Sequence, residues 1–128
     1  MINTENIRAT VDLIEREANE KKRFNMKTWG QSNGSYRTDP EICGTQMCFA
    51  GWAVVASGGK LRTFTEQYGD ETFYGTEFVT ESGRTVQNVA DYAAEWLGLP
   101  DVRIFFETDI RDVHELRVAL KARYEVDV

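Results

Sequence analysis

Histidine, cysteine and long apolar segments are scarce in this chain of 128 residues. One His and two Cys leave few side chains for metal coordination or for imidazole-based catalysis. The longest apolar run, residues 47–56, is too short for a membrane-spanning helix, which needs about twenty residues. The first residues also lack a basic stretch followed by an apolar one. We therefore expect neither a signal peptide nor a transmembrane segment.

Excess positive charge is lacking as well. The net charge is −6 and the isoelectric point is near 4.8, whereas a general nucleic-acid binder carries a basic face. Much of the acidity falls in residues 60–100. We expect a protein of the cytosol that binds neither nucleic acid nor a membrane. In that compartment Cys43 and Cys48 are reduced thiols rather than a disulfide.

The apolar run, from Met47 to Ala56, predicts the element around which the chain is organised. Its only polar side-chain group is the indole N–H of Trp52. Thr45 stands where an N-cap residue would, and two glycines at 58–59 provide a stop, so we predict a helix over residues 45–57. A helix that is apolar on all sides must be surrounded by protein.

The remaining pattern predicts an α+β fold, a predominantly helical single domain over residues 1–128. Between the core helix and the next helix, residues rich in Thr, Phe, Tyr and Val flank the turn signal Gly69-Asp70. They predict a small antiparallel hairpin or three-strand element at about 61–80, with strands near 61–66 and 72–80.

Four further helices are predicted from apolar periodicity and capping residues. The first is capped by Asn3 or Thr4 and runs to about Lys22, with Ile7, Val11, Ile14 and Ala18 on its apolar face. The second begins at Thr85 and ends before Gly98. A short helix over 101–107 follows Pro100 and places Phe105 and Phe106 in the core. Thr108 or Asp109 caps the last helix.

Cys48 and His114 are the only candidates for catalysis. With Thr45 as the N-cap, Cys48 would be the third helical residue, where the helix dipole lowers a thiol pKa. The block from Cys43 to Ala50 also resembles the Cys-Gly-Ser-Cys-Trp signature of papain-like peptidases, which implies Cys48 as nucleophile and His114 as base. In the alternative interpretation, Cys48 is a small apolar residue of the core. We predict no metal site and no cofactor.

Three blocks carry a second resemblance: Phe24 to Trp29, Cys43 to Ala53 and Ala93 to Pro100. Together they resemble small uncharacterised proteins of bacteriophages and actinobacteria that share a Cys-Gly-Thr-x-x-Cys-x-Ala-Gly-x-Ala motif. The resemblance implies a phage or bacterial origin, and it brings no activity and no catalytic residues.

These observations favour a non-enzymatic interaction protein that binds a host or phage protein, and they leave its oligomeric state open, a homodimer included. Catalysis is less favoured than binding. Aromatic residues can anchor an interface, and acidic residues accompany them in the predicted hairpin. The predicted binding residues are Trp29, Tyr36, Phe73, Tyr74, Glu71 and Glu77. Two alternatives remain: a small cysteine-dependent hydrolase or transferase, and an acidic inhibitor that mimics DNA through the acids of residues 66–81.

Overall fold

The computed structural model describes residues 2–17, 24, 26 and 47–128. For residues 63–66 and 73–76 it describes the backbone but not the side chains. The elements are helices α1 to α4, strands β1 and β2, and a 3-10 helix between α3 and α4. In chain order they are α1 Thr4–Glu17, α2 Phe49–Ala56, β1 Lys60–Tyr68, β2 Glu71–Val79, α3 Val89–Leu97, the 3-10 helix Arg103–Phe106 and α4 Val113–Tyr124.

The α+β class and the central position of the apolar helix are confirmed. Six of the eight residues of α2, Phe49 to Val54, are buried. Among the residues that the structure describes, α1 and α3 pack on α2, and the base of the hairpin lies at its carboxyl end. In the described part of the chain no helix is both long enough and apolar enough to cross a bilayer.

The start of the central helix differs from the prediction. The N-cap is Cys48, with φ −77° and ψ 179°, and the first helical residue is Phe49. Thr45 as the N-cap, and Cys48 as the third helical residue, were therefore wrong; Thr45 itself lies outside the described residues. The stop was right, because the helix ends at Ala56 and Gly58 follows with φ +99°.

The first helix follows its periodicity. Asn3 is the cap, since its Oδ1 accepts a hydrogen bond of 3.0 Å from the Asn6 N–H. The predicted apolar stripe is buried at Ile7, Val11 and Ile14. Ala18 and the predicted end near Lys22 lie outside the described residues.

The two strands form an antiparallel hairpin with a continuous register from Lys60↔Val79 to Tyr68↔Glu71. The prediction of strands near 61–66 and 72–80 is confirmed, and the sheet has two strands rather than three over the described residues. Gly69 has φ +63° at the first central position of the turn, a conformation that favours glycine there.

Two predicted helix starts were placed too early. Helix α3 begins at Val89, after the N-cap Asn88, rather than at Thr85, because Thr85 still bridges to Val79 and the Val86 N–H donates to the Phe78 carbonyl at 2.8 Å. The N-cap of α4 is Asp112 rather than Thr108 or Asp109, and its Oδ1 accepts from the Glu115 N–H at 2.8 Å.

The 3-10 helix after Pro100 supplies only one of the two predicted core aromatics. Phe105 is buried, and its ring lies against that of Phe49 with a centroid distance of 5.6 Å. Phe106 is 59% exposed, so its predicted place in the core was wrong. Neighbouring residues of a tight turn point in different directions, and only one of them can face α2.

Polar contacts join α4 to α1 and to the residues on either side of the 3-10 helix. Arg117 Nη2 donates to Glu15 of α1 at 2.5 Å, and Arg123 pairs with Glu107. The Tyr124 hydroxyl donates to Asp101 Oδ1 at 2.8 Å. Burial and this hydrogen bond raise the pKa of Tyr124 to about 12.

Substituting Gly59 tests the close approach of α2 to the hairpin. A Cβ at Gly59 would lie 2.5 Å from the Val79 carbonyl oxygen and 2.7 Å from Val54 Cγ1. We expect Gly59→Ala to lower the free energy of unfolding by about 3 kcal/mol, because the backbone of β2 must move. Urea unfolding measures this loss. As a control, Gly83→Ala has an open site but a positive φ of 89°, and should lose only about 1 kcal/mol. Equal losses would contradict the steric explanation.

The carboxyl ends of α3 and α4 provide a matched pair of substitutions. Gly98 after α3 has φ 71° and ψ 26°, and Glu125 after α4 has φ 58° and ψ 34°, although this conformation costs a non-glycine residue energy. We expect Glu125→Gly to raise the free energy of unfolding by about 0.5–1 kcal/mol, and Gly98→Ala to lower it by about 1 kcal/mol. Urea unfolding of both variants checks the signs. A loss of stability in Glu125→Gly would show that its side chain matters more than the backbone conformation.

Candidate functional site

Cys48 lies at the amino end of the central helix and is sealed from solvent. Its side chain is 1% exposed, and its neighbours Met47 and Phe49 are fully buried. The Phe49 N–H donates to the thioether sulfur of Met26 at 3.4 Å, so apolar groups and a weak acceptor surround this helix end.

The environment opposes ionisation of the Cys48 thiol. Burial raises its pKa from 9.0 to about 11, although the N–H groups of Gly51, Ala50 and Cys48 act in the opposite direction. The N–H groups at the helix end favour the thiolate, as the sequence suggested, but desolvation of the thiol has the larger effect, and the pKa is raised. A nucleophilic cysteine needs the thiolate form and an approach for its substrate. The geometry favours the interpretation of Cys48 as a packed core residue.

His114 is the second residue of α4, and its side chain is exposed. Two shallow surface grooves, of about 370 and 460 Å³, both border His114, Val118 and Ala122, and neither is lined by Cys48. A catalytic pair needs its two side chains within hydrogen-bonding reach. The hydrogen bonds of the described residues do not join Cys48 to His114, so the structure gives no support for a dyad.

Metal ligands are not gathered in the described part of the chain. No group of three or more His, Cys, Asp and Glu side chains there could hold a metal ion. Cys43, which the sequence offered as a second thiol, lies outside the described residues.

The hairpin is the second candidate site, and the buried residues among its described side chains lie at its base. Its base is buried through Leu61, Phe78 and Val79, which are 2–3% exposed. All six residues at its far end, residues 67–72, are exposed. Strands of nine residues are about 30 Å long at roughly 3.3 Å per residue. We call residues 60–79 the hairpin arm and residues 67–72 the arm tip.

The arm tip combines one exposed aromatic ring with negative charge. Tyr68 is 61% exposed and stands opposite Glu71 in the register, with Asp70 in the turn between them. No Lys or Arg occurs between residues 67 and 72. Thr72 Oγ1 donates to Gln67 Oε1 at 3.1 Å across the strands, which holds the two sides of the tip together.

Four of the six predicted binding residues belong to the hairpin arm. Glu71 is exposed at the tip, whereas Glu77 lies nearer the base and pairs with Arg62 at 2.7 Å. Phe73 and Tyr74 stand opposite Glu66 and Thr65 in the register; their side chains are not among those described. Trp29 and Tyr36 lie outside the described residues.

Sequence reasoning missed Tyr68, which is one of the three large hydrophobic residues that are exposed in the described part of the chain. Its position immediately before the Gly69-Asp70 turn was the available signal, because residues that flank a two-residue turn lie at the far end of a hairpin.

Comparison of the chain with protein-family models, with curated proteins and with solved structures finds no match.

Thiol labelling tests the burial of Cys48. We expect a thiol reagent at neutral pH to leave Cys48 unmodified in the native protein and to modify it after denaturation, because the reagent cannot reach a side chain that is 1% exposed. Mass spectrometry of the peptides distinguishes Cys48 from Cys43. Native labelling of Cys48 faster than that of a free thiol would restore the enzymatic alternative.

The raised pKa of Cys48 also predicts a loss of stability in alkali. The native state favours the neutral thiol, so its contribution to stability is complete below pH 9 and is lost as the pH rises from 9.0 through about 11. By pH 11 the loss should reach roughly 2 kcal/mol. Urea unfolding from pH 8 to pH 11 measures it. The control Cys48→Ala should show a correspondingly shallower decline, and parallel curves for the two proteins would contradict the assignment.

Proposed function

We propose that this protein is a small, non-enzymatic interaction protein that binds a protein partner through the arm tip. The observation that carries the proposal is a contrast among the described side chains of the hairpin arm: those at the base are buried, and six consecutive residues at the far end are exposed. The proposal includes a cytosolic location, in the host cell if the protein is phage-encoded, and a partner from host or phage.

The physics of an isolated hairpin supports this proposal. A two-stranded hairpin alone is marginally stable in water, and the buried residues among the described side chains of the arm, Leu61, Phe78 and Val79, lie at its base. A polar turn of a few residues placed directly after the buried base would reverse the chain without the length of the arm. A partner that covers the tip would bury Tyr68, an aromatic residue of the kind enriched in interface hot spots.

Charge supports a partner with a basic surface. Asp70 and Glu71 lie together at the tip, and the ion pairs of the described residues include neither of them. Nearer the base, Arg62 already pairs with Glu77. Complementary charge across an interface raises the association rate and selects among partners. Binding through the tip should therefore weaken as the salt concentration rises.

The two alternatives have no specific observation in their favour. A cysteine-dependent hydrolase needs an accessible thiolate, and Cys48 is buried with a raised pKa. A DNA mimic needs a dense array of carboxylates, whereas the Arg62 pair reduces the negative charge near the base of the arm.

Variants of the arm tip test the proposed interface. The tagged chain is first used to capture partners from cells that express it, and the dissociation constant of each captured protein is measured with purified components. We expect Tyr68→Ala and Glu71→Lys each to weaken binding by about tenfold, or about 1.4 kcal/mol, through lost ring burial and reversed charge. The affinity of the native chain should fall between 50 and 300 mM salt, and that of Glu71→Lys should fall less.

A matched control uses an exposed residue on an element outside the hairpin arm. Val118 on α4 is 55% exposed, close to the 61% of Tyr68. Val118→Ala should leave the dissociation constant unchanged, and circular dichroism of all three variants should match that of the native chain. Tip variants that bind as tightly as the native chain would refute the assignment of the interface, and the absence of any specific partner would refute the proposed function.

A further inference from the structure

We draw no further inference here: the strongest candidate, the outer face of α4 around the exposed Val118 with a shallow groove on each side, is an unpartnered helix face among the residues that the structure describes, and nothing there shows what would cover it.

Discussion

The burial of α2 on all sides is the constraint on which the described structure depends. An eight-residue helix is only about 12 Å long, yet it must be covered around its whole circumference because it has no polar face. Helices α1 and α3 cover much of it, and Phe105 adds a ring against Phe49. At the carboxyl end the chain leaves through Gly59, whose missing side chain lets the backbone of β2 pass at contact distance. The base of the hairpin is thereby fixed by the same helix that forms the core.

Local signals predicted the elements of this fold well, and the ends of those elements less well. The apolar run, the Gly69-Asp70 turn and the stop at Gly98 each depend on neighbouring residues, so the sequence contains them directly. The start of α3 does not, because the strand-like pairing of Thr85 and Val86 with residues 78–79 competes with helix formation. The contact with β2 therefore decides where α3 begins, and a reading of neighbouring residues alone does not reveal it.

The start of α4 and the two phenylalanines illustrate the same limit. Thr108, Asp109 and Asp112 are all good N-cap residues, and the choice falls on Asp112, where Glu115 stands three residues later and accepts from the Arg111 N–H at 3.3 Å. This Asp-x-x-Glu pattern was readable in the sequence. The choice between Phe105 and Phe106 was not, because it depends on which side of the 3-10 helix faces α2.

For the candidate site, sequence could suggest residues but not decide their exposure. The position of Cys48 next to a helix start favours a thiolate, and its depth in the core opposes one more strongly; only the fold reveals the balance. Tyr68 shows the converse, because it lies at the tip of the arm, at the opposite end from the buried Leu61 and Phe78. In the described body, charged groups often serve internal contacts, such as Arg117 with Glu15 and Arg123 with Glu107. Helix α2 has the buried Cys48 as its N-cap and contacts both strands of the hairpin, whereas the residues of the arm tip are exposed. The proposed function therefore rests on surface contact rather than on chemistry.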